Sequence, residues 1–143
     1  QALELDADNV DAMLRLGAVY TRMERYDPAQ LILEKAIATD PSSARPHLAL
    51  AYCLLGMRNL PAAQSHYQSA LAIDPENFQA FNGLGVTKMM QYLNDRSQSE
   101  LAQQALEHWH RSLEFNPDQP KIESLIARYT AQIHGMASEN NTP

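Results

Sequence analysis

The chain has one cysteine, few glycines and no long apolar run. Cys53 is the only cysteine among 143 residues, so an intrachain disulfide is excluded, and a domain of this size does not need one for stability. Five glycines exclude collagen-like and glycine-rich low-complexity sequence. The apolar runs are only a few residues long, which predicts no membrane insertion. Nothing in the composition predicts a localisation.

Basic residues are also in the minority. Eleven Lys and Arg stand against seventeen Asp and Glu, which gives a formal net charge of −6 and a pI near 5.2. A nucleic-acid-binding domain needs a strongly basic surface, so this balance argues against nucleic acid as a partner. The 45% apolar and 20% charged residues are ordinary for a folded globular chain.

Residue patterns typical of catalytic and cofactor sites are missing. The sequence contains no G-x-S-x-G, G-x-G-x-x-G or Walker pattern. His108 and His110 are two residues apart on a predicted helix, so they face different directions and do not chelate a metal together. The other histidines are scattered, at His47, His66 and His134. Cys53 occupies a small-residue core position. We therefore predict a protein that is not an enzyme and that holds no metal or cofactor.

Internal repetition is the strongest feature of the chain. Shifted by 34 residues, the sequence overlays itself. A leucine followed by a small residue recurs at Leu16-Gly17, Leu50-Ala51 and Leu84-Gly85. Each unit ends on an Asp-Pro or Asn-Pro pair, at Asp40-Pro41, Asp74-Pro75 and Asn116-Pro117. The second half of the third unit is displaced by eight further residues, so Trp109 takes the place of Tyr67.

Each unit predicts two amphipathic helices. The apolar residues of the first helix follow the i, i+3, i+4, i+7 spacing of a helix with one buried face. The predicted N-caps of the first helices are Asn9, Ser43 and Asn77. The second helix of the first unit is predicted to start at Asp27-Pro28, with Asp27 as the N-cap. Small residues stand where the two helices of a pair would cross closely.

This pattern resembles the tetratricopeptide repeat (TPR) family, as three repeats plus a C-terminal capping helix. The family's W-x2-L-G-x2-Y, A-x3-F, A and P positions are filled in the first unit by Met13, Leu16, Gly17, Tyr20, Ala29, Leu33, Ala36 and Pro41. The second unit has His47, Leu50, Ala51, Leu54, Ala63, Tyr67, Ala70 and Pro75. The third has Phe81, Leu84, Gly85, Lys88, Ala105, Trp109, Ser112 and Pro117. The resemblance implies an all-α, right-handed superhelical solenoid of antiparallel helix pairs.

The repeats predict the domain boundaries. Residues 1–9 are the remnant of the last helix of an upstream repeat, and the three repeats cover 10–43, 44–77 and 78–119. A capping helix covers 120–135 and ends at Gly135, and residues 136–143 form a tail. The eight-residue insertion near 94–98 is either a longer turn or a pair of longer helices. An uncapped solenoid end exposes apolar surface, so we expect further repeats upstream.

The resemblance also implies that the first helix of each pair lines a concave face. The residues predicted there include five cations and one anion, whereas the rest of the chain has six cations and sixteen anions. Because arginine binds carboxylates through two parallel hydrogen bonds, we expect this groove to bind a peptide of acidic character. The alternative is that these charges only solubilise the face or pair within it. The predicted binding residues are Arg15, Arg22, Arg45, Tyr52, Asn82, Met89, Lys121 and Arg128.

Together these features predict a non-catalytic protein–protein interaction scaffold. One alternative is a self-association module that builds a homo-oligomer through the uncapped N-terminal end. Another is a substrate-recruiting array of a larger enzyme or secretion component. The carboxylate clamp with which some family members hold chaperone tails is not expected. Its lysine, asparagine and arginine positions are occupied here by Leu14, Ala18, Ala49, Gln79 and Gly83.

Overall fold

All regular secondary structure in the described part of the chain is α-helical. A computed structural model describes residues 2–139, with side chains described from residue 7 onward except at position 137. This range contains seven α-helices and no strand: α1 (Ala2–Arg22), α2 (Tyr26–Thr39), α3 (Ala44–Gly56), α4 (Leu60–Ile73), α5 (Phe78–Asn94), α6 (Ser99–Phe115) and α7 (Pro120–Glu139). Residues 140–143 of the predicted tail and the side chains of residues 1–6 lie outside the described part.

Six of these helices form three antiparallel pairs, α1 with α2, α3 with α4, and α5 with α6. Each second helix also packs on the first helix of the following pair, and α6 packs on α7. The first helices α1, α3 and α5 lie side by side. The prediction of an all-α solenoid of stacked helix pairs is confirmed.

Small residues let the helices of a pair approach closely. Ala29, Ala63 and Ala105 are fully buried at equivalent positions of α2, α4 and α6. A Cβ atom added at Gly85 of α5 would overlap the indole ring of Trp109 on α6. The large ring therefore fits against the helix backbone because position 85 has no side chain.

The insertion in the third unit lengthens both of its helices. Helix α5 has 17 residues against 13 in α3, and α6 has 17 against 14 in α4. The turn between them, residues 95–98, is one residue longer than the turn at 57–59. These differences account for all eight extra residues. Of the two alternatives left open by the sequence, longer helices describe most of the insertion.

Two predicted helix starts are wrong. Asn9 does not cap a helix, because α1 runs unbroken through this position from Ala2. The reason lies in the sequence: Ala7 follows Asp6, where the equivalent pairs have a proline that ends the helix. Asp27 is not an N-cap either, since α2 begins at Tyr26 after a turn in which Glu24 has a φ of 57°. Asp27 lies instead in the first turn of α2.

The other predicted caps are partly confirmed. Asn77 caps α5, with its Oδ1 accepting a hydrogen bond from the Ala80 amide at 3.0 Å. Ser43 occupies the N-cap position of α3, but its side chain accepts no capping bond. The predicted stop at Gly135 is wrong, because α7 continues to Glu139. Gly135 lacks the positive φ of a glycine cap, so residues 136–139 of the predicted tail are helical.

The buried side chains form two separate clusters. One joins the first two helix pairs with the start of α5 and includes Leu33, Leu50 and Tyr67. The other joins the end of α5 with α6 and α7 and includes Trp109 and Ile122. The terminal helix thus covers the third pair, as a capping helix is expected to do.

Candidate peptide-binding groove

A hollow of about 380 Å³ opens on the side where the first helices lie next to one another. Volumes of this order are typical of ligand sites, which span roughly 300–1,000 Å³. Helices α1, α3, α4 and α5 all contribute to its lining, which consists of Leu14, Arg45, Leu48, Ala49, Tyr52, Tyr67 and Gln79. We call this hollow the groove.

The floor of the groove is apolar and partly aromatic. Tyr67 comes from the second helix α4, and its ring reaches the groove because Gly83 of α5 has no side chain to block it. Burial raises the pKa of the Tyr67 phenol, so this group stays neutral. Leu14 is buried, whereas Tyr52 is 60% exposed and offers an aromatic surface to a ligand.

Arg45, which lines the groove, and Arg15, which does not, share one carboxylate. Arg15 Nε donates to Asp11 Oδ2 at 2.7 Å, and Arg45 Nη2 donates to Asp11 Oδ1 at 3.0 Å. Hydrogen bonds from Arg15 and then Arg45 hold the pKa of Asp11 below its usual value. The positive face predicted from the sequence is therefore partly neutralised here by its single anion.

Three further predicted residues line neighbouring hollows. Arg22 lies beside Tyr52 and Leu55 in a hollow at the end of α1. Lys121 and Arg128 lie on α7, where they line a separate hollow with Pro120, Ser124 and Leu125. The predicted cations of α7 therefore do not line the same hollow as Arg45.

The last two predicted residues belong to the packing of the third pair. Asn82 is half-buried, and its Nδ2 donates to Gln119 Oε1 at 2.7 Å, while its backbone carbonyl oxygen accepts a bond from Trp109 Nε1. Met89 was expected in the groove, and this prediction is wrong, since the residue is only 3% exposed. The lengthened α5 buries Met89 in the cluster that it forms with α6 and α7.

Sequence reasoning missed a close pair of histidines. His47 on α3 and His66 on α4 were treated as scattered, yet their Nδ1 atoms lie 3.1 Å apart and their ring centroids 5.3 Å apart. Burial lowers the pKa of both imidazoles. The signal in the sequence is the repeat alignment, in which the two histidines are equivalent to Met13 and Ile32 of the first unit. Among the described residues no group of three or more His, Cys, Asp or Glu side chains is arranged to hold a metal.

Cys53 has the core position expected of it. The side chain is fully buried, and Sγ lies 3.7 Å from the Tyr26 carbonyl oxygen. Burial raises the pKa of the thiol, which disfavours the reactive thiolate. None of the described helices is long and apolar enough to span a bilayer.

Comparison with known proteins decides the family. The family model described as Tetratricopeptide repeat matches residues 1–51 and 25–84, which together exceed half of the chain. The chain belongs to the tetratricopeptide repeat family. The described residues of this TPR chain form three helix pairs followed by α7.

Among the curated proteins, this TPR chain is similar to the type IV pilus assembly protein PilF of Pseudomonas aeruginosa. The two are 29% identical over 78% of this chain and 56% of that protein. The chain therefore spans little more than half the length of this relative.

Solved TPR structures share the fold. A thermophilic TPR protein of Thermus thermophilus is similar with a TM-score of 0.78 and 20% identity, over 87% of this chain and 66% of that chain. The first TPR of Spaghetti (RPAP3), bound to the HSP90 peptide SRMEEVD, gives a TM-score of 0.75 and 17% identity over 89% and 94%. TPR domains of this fold thus bind peptides of partner proteins.

Proposed function

We propose that the chain is a non-catalytic interaction module that binds a peptide or an extended partner segment in the groove. The observation that carries this proposal is the exposed Tyr52 beside an apolar floor, with Arg45 and Gln79 at the rim. An apolar side chain of the ligand packs against Tyr52 and Leu48. A neighbouring carboxylate of the ligand pairs with Arg45.

The ligand differs in chemistry from a chaperone tail. A carboxylate clamp needs cations and amides at positions that here hold buried or apolar groups, including Leu14 and Gly83. The groove offers a single arginine and a large apolar surface instead. We therefore propose that recognition depends mainly on an apolar anchor, with one acidic residue next to it.

Peptides selected from a random display library against the chain test this function. Tyr52→Ala and Arg45→Glu should each weaken binding of a selected peptide at least tenfold, measured by fluorescence anisotropy, since central aromatic and arginine contacts carry much of the affinity of an interface. Leu31→Ala and Arg96→Glu are the matched controls, because Leu31 is 72% exposed on α2 and Arg96 lies in the turn after α5. Equal affinities in all four variants would contradict the proposal.

Asp11 separates a binding role from simple pairing of charges. If the arginines serve an acidic ligand, Asp11→Ala frees Arg15 and Arg45 from their shared carboxylate and tightens binding of an acidic peptide. If these arginines only pair with Asp11, the same substitution leaves peptide affinity unchanged. The salt dependence of affinity, measured in parallel, should increase in the variant only in the first case.

Self-association is the second candidate, and the outer face of α1 supports it. Leu16 and Val19 on α1 are 42% and 41% exposed, and Met23 in the turn after α1 is 59% exposed. The residues equivalent to Leu16 and Val19 in the next pair, Leu50 and Cys53, are buried against a neighbouring helix. We expect the apparent mass in sedimentation equilibrium to rise with protein concentration. The double substitution Leu16→Glu/Val19→Lys should restore the 16.0 kDa mass of a single chain. A wild type that stays at one chain throughout would exclude it.

The similarity to a type IV pilus assembly protein supports a place for this module in a larger assembly. In that case the groove recruits a segment of another component and performs no chemistry itself. This accords with the alternative of a recruiting array within a secretion component. Cross-linking of a photoreactive residue at Tyr52 in the source cells, followed by identification of the linked protein, tests it. Linkage that persists when Arg45→Glu is added would oppose groove-mediated recruitment.

A further inference from the structure

The histidine pair occupies a slot that recurs in each helix pair. By repeat alignment, the slot between the two helices of a pair holds Met13 and Ile32 in the first unit, His47 and His66 in the second, and Phe81 and His108 in the third. The rings of the third pair also face each other, with centroids 6.2 Å apart. The second unit alone places two imidazoles in this slot.

The two Nδ1 atoms have the spacing of ligands on one metal ion. A zinc-type ion lies about 2.0–2.1 Å from each imidazole nitrogen, so two such nitrogens are separated by about 3.0 Å at a right angle and about 3.4 Å at a tetrahedral angle. The observed separation of 3.1 Å falls within this interval. We propose that His47 and His66 form a binding site for a divalent transition-metal ion, with their two Nδ1 atoms as ligands.

The chemistry of the donors defines the class of ion. Imidazole nitrogen suits zinc, nickel and copper, whereas magnesium and calcium prefer oxygen ligands. Each imidazole binds metal in its neutral form. Without metal, one Nδ1–H donates to the other Nδ1; with metal, each ring carries its proton on Nε2.

Two protein ligands fill only part of the coordination sphere of such an ion. The negative charge of Glu34 on α2 acts on His66 and also favours a bound cation. With two histidines as the protein ligands, water fills the remaining positions and the ion exchanges readily. Neither histidine lines the groove, although the next residue of each helix, Leu48 or Tyr67, does. A bound ion would link α3 to α4 at this point.

Calorimetric titration of the untagged chain with Zn²⁺ tests the site. We expect one equivalent to bind, and His47→Phe and His66→Ile each to lower the affinity at least tenfold. Both substitutions import the residue that an equivalent slot already holds, Phe81 or Ile32, so the helix pair should stay folded. His134→Gln is the control, because this histidine lies on α7 outside the slot, and it should bind Zn²⁺ like the wild type.

Two results would overturn the site. One is an unchanged Zn²⁺ affinity in both His47→Phe and His66→Ile. The other is the absence of saturable binding to the wild type at Zn²⁺ concentrations up to about 1 mM, where even very weak sites are occupied. Nitrogen-15 NMR of the histidine rings in the wild type gives a measurement that does not depend on the variants. Zinc should shift Nδ1 of His47 and His66 and leave His110 unshifted; shifts spread evenly over all histidines would also contradict the proposal.

Discussion

Helices α1 and α3 carry the same repeat pattern and differ sharply in burial. Leu16 on α1 is 42% exposed, whereas its equivalent Leu50 on α3 is 1% exposed. Val19 is 41% exposed, and its equivalent Cys53 is fully buried. The difference arises because α2 covers this face of α3, while among the described residues no helix covers the same face of α1. A repeat position therefore acquires its energetic weight from the neighbouring pair, and the residue type alone does not set it.

The largest expected effect comes from a matched pair of substitutions that shorten these leucine side chains to alanine. Leu50→Ala removes a fully packed side chain and should lower the free energy of unfolding by about 2–5 kcal/mol. Leu16→Ala removes an exposed one and should cost less than about 1 kcal/mol. Urea unfolding at several protein concentrations measures both. Equal losses that grow with concentration would show instead that α1 is covered by a second copy.

Two glycines provide a second test of the same rule. Gly85→Ala places a methyl group into the indole of Trp109, and overpacking of this kind costs about 1–3 kcal/mol. Gly135→Ala on α7 meets no atom within 4 Å, so it should stabilise the helix by up to about 1 kcal/mol. Thermal unfolding of the two variants should therefore shift in opposite directions. A stabilising Gly85→Ala would contradict the close crossing of α5 and α6.

The smallest effect concerns His108, which lies in the third slot. Burial, and then the positive charge of Lys88, lower its pKa below the ordinary value of 6.5. The unfolded chain therefore binds this proton more readily, and the folded state loses stability as the pH falls through 6.5. His108→Ile, the residue of the equivalent slot at Ile32, should reduce the loss of melting temperature between pH 7.5 and pH 5.5. An identical loss in both chains would contradict a half-buried His108 whose pKa is lowered in the folded state.

The repeat period was enough to predict the helix pairs, and of the predicted binding residues Arg45 and Tyr52 line the groove. Helix ends were predicted less well, because Asn9 and Gly135 have the residue types of caps while the local chain continues as helix. Met89 was misplaced because the pattern does not show that longer helices in the third unit would bury it. The histidine pair escaped notice because partners 19 residues apart meet only once the two helices are packed.

The pairing of Arg15 and Arg45 with Asp11 illustrates another limit of sequence reasoning. Counting charges on a predicted face showed an excess of cations, but it could not show that two of them share one carboxylate. Long side chains choose partners according to geometry that repeat spacing does not specify. Predictions of binding chemistry from charge counts are therefore most secure where the face holds no opposite charge.

The matched lengthening of α5 and α6 also offers a practical use. Since both arms of this hairpin grow together, their joint end, residues 95–98, stands about one helical turn beyond the turn at 57–59. A fluorophore, an epitope or a whole fused domain inserted at residues 95–98 would not contact the neighbouring helix pairs. It would report on the array, or tether it to a surface, without entering the groove, which residues 95–98 do not line.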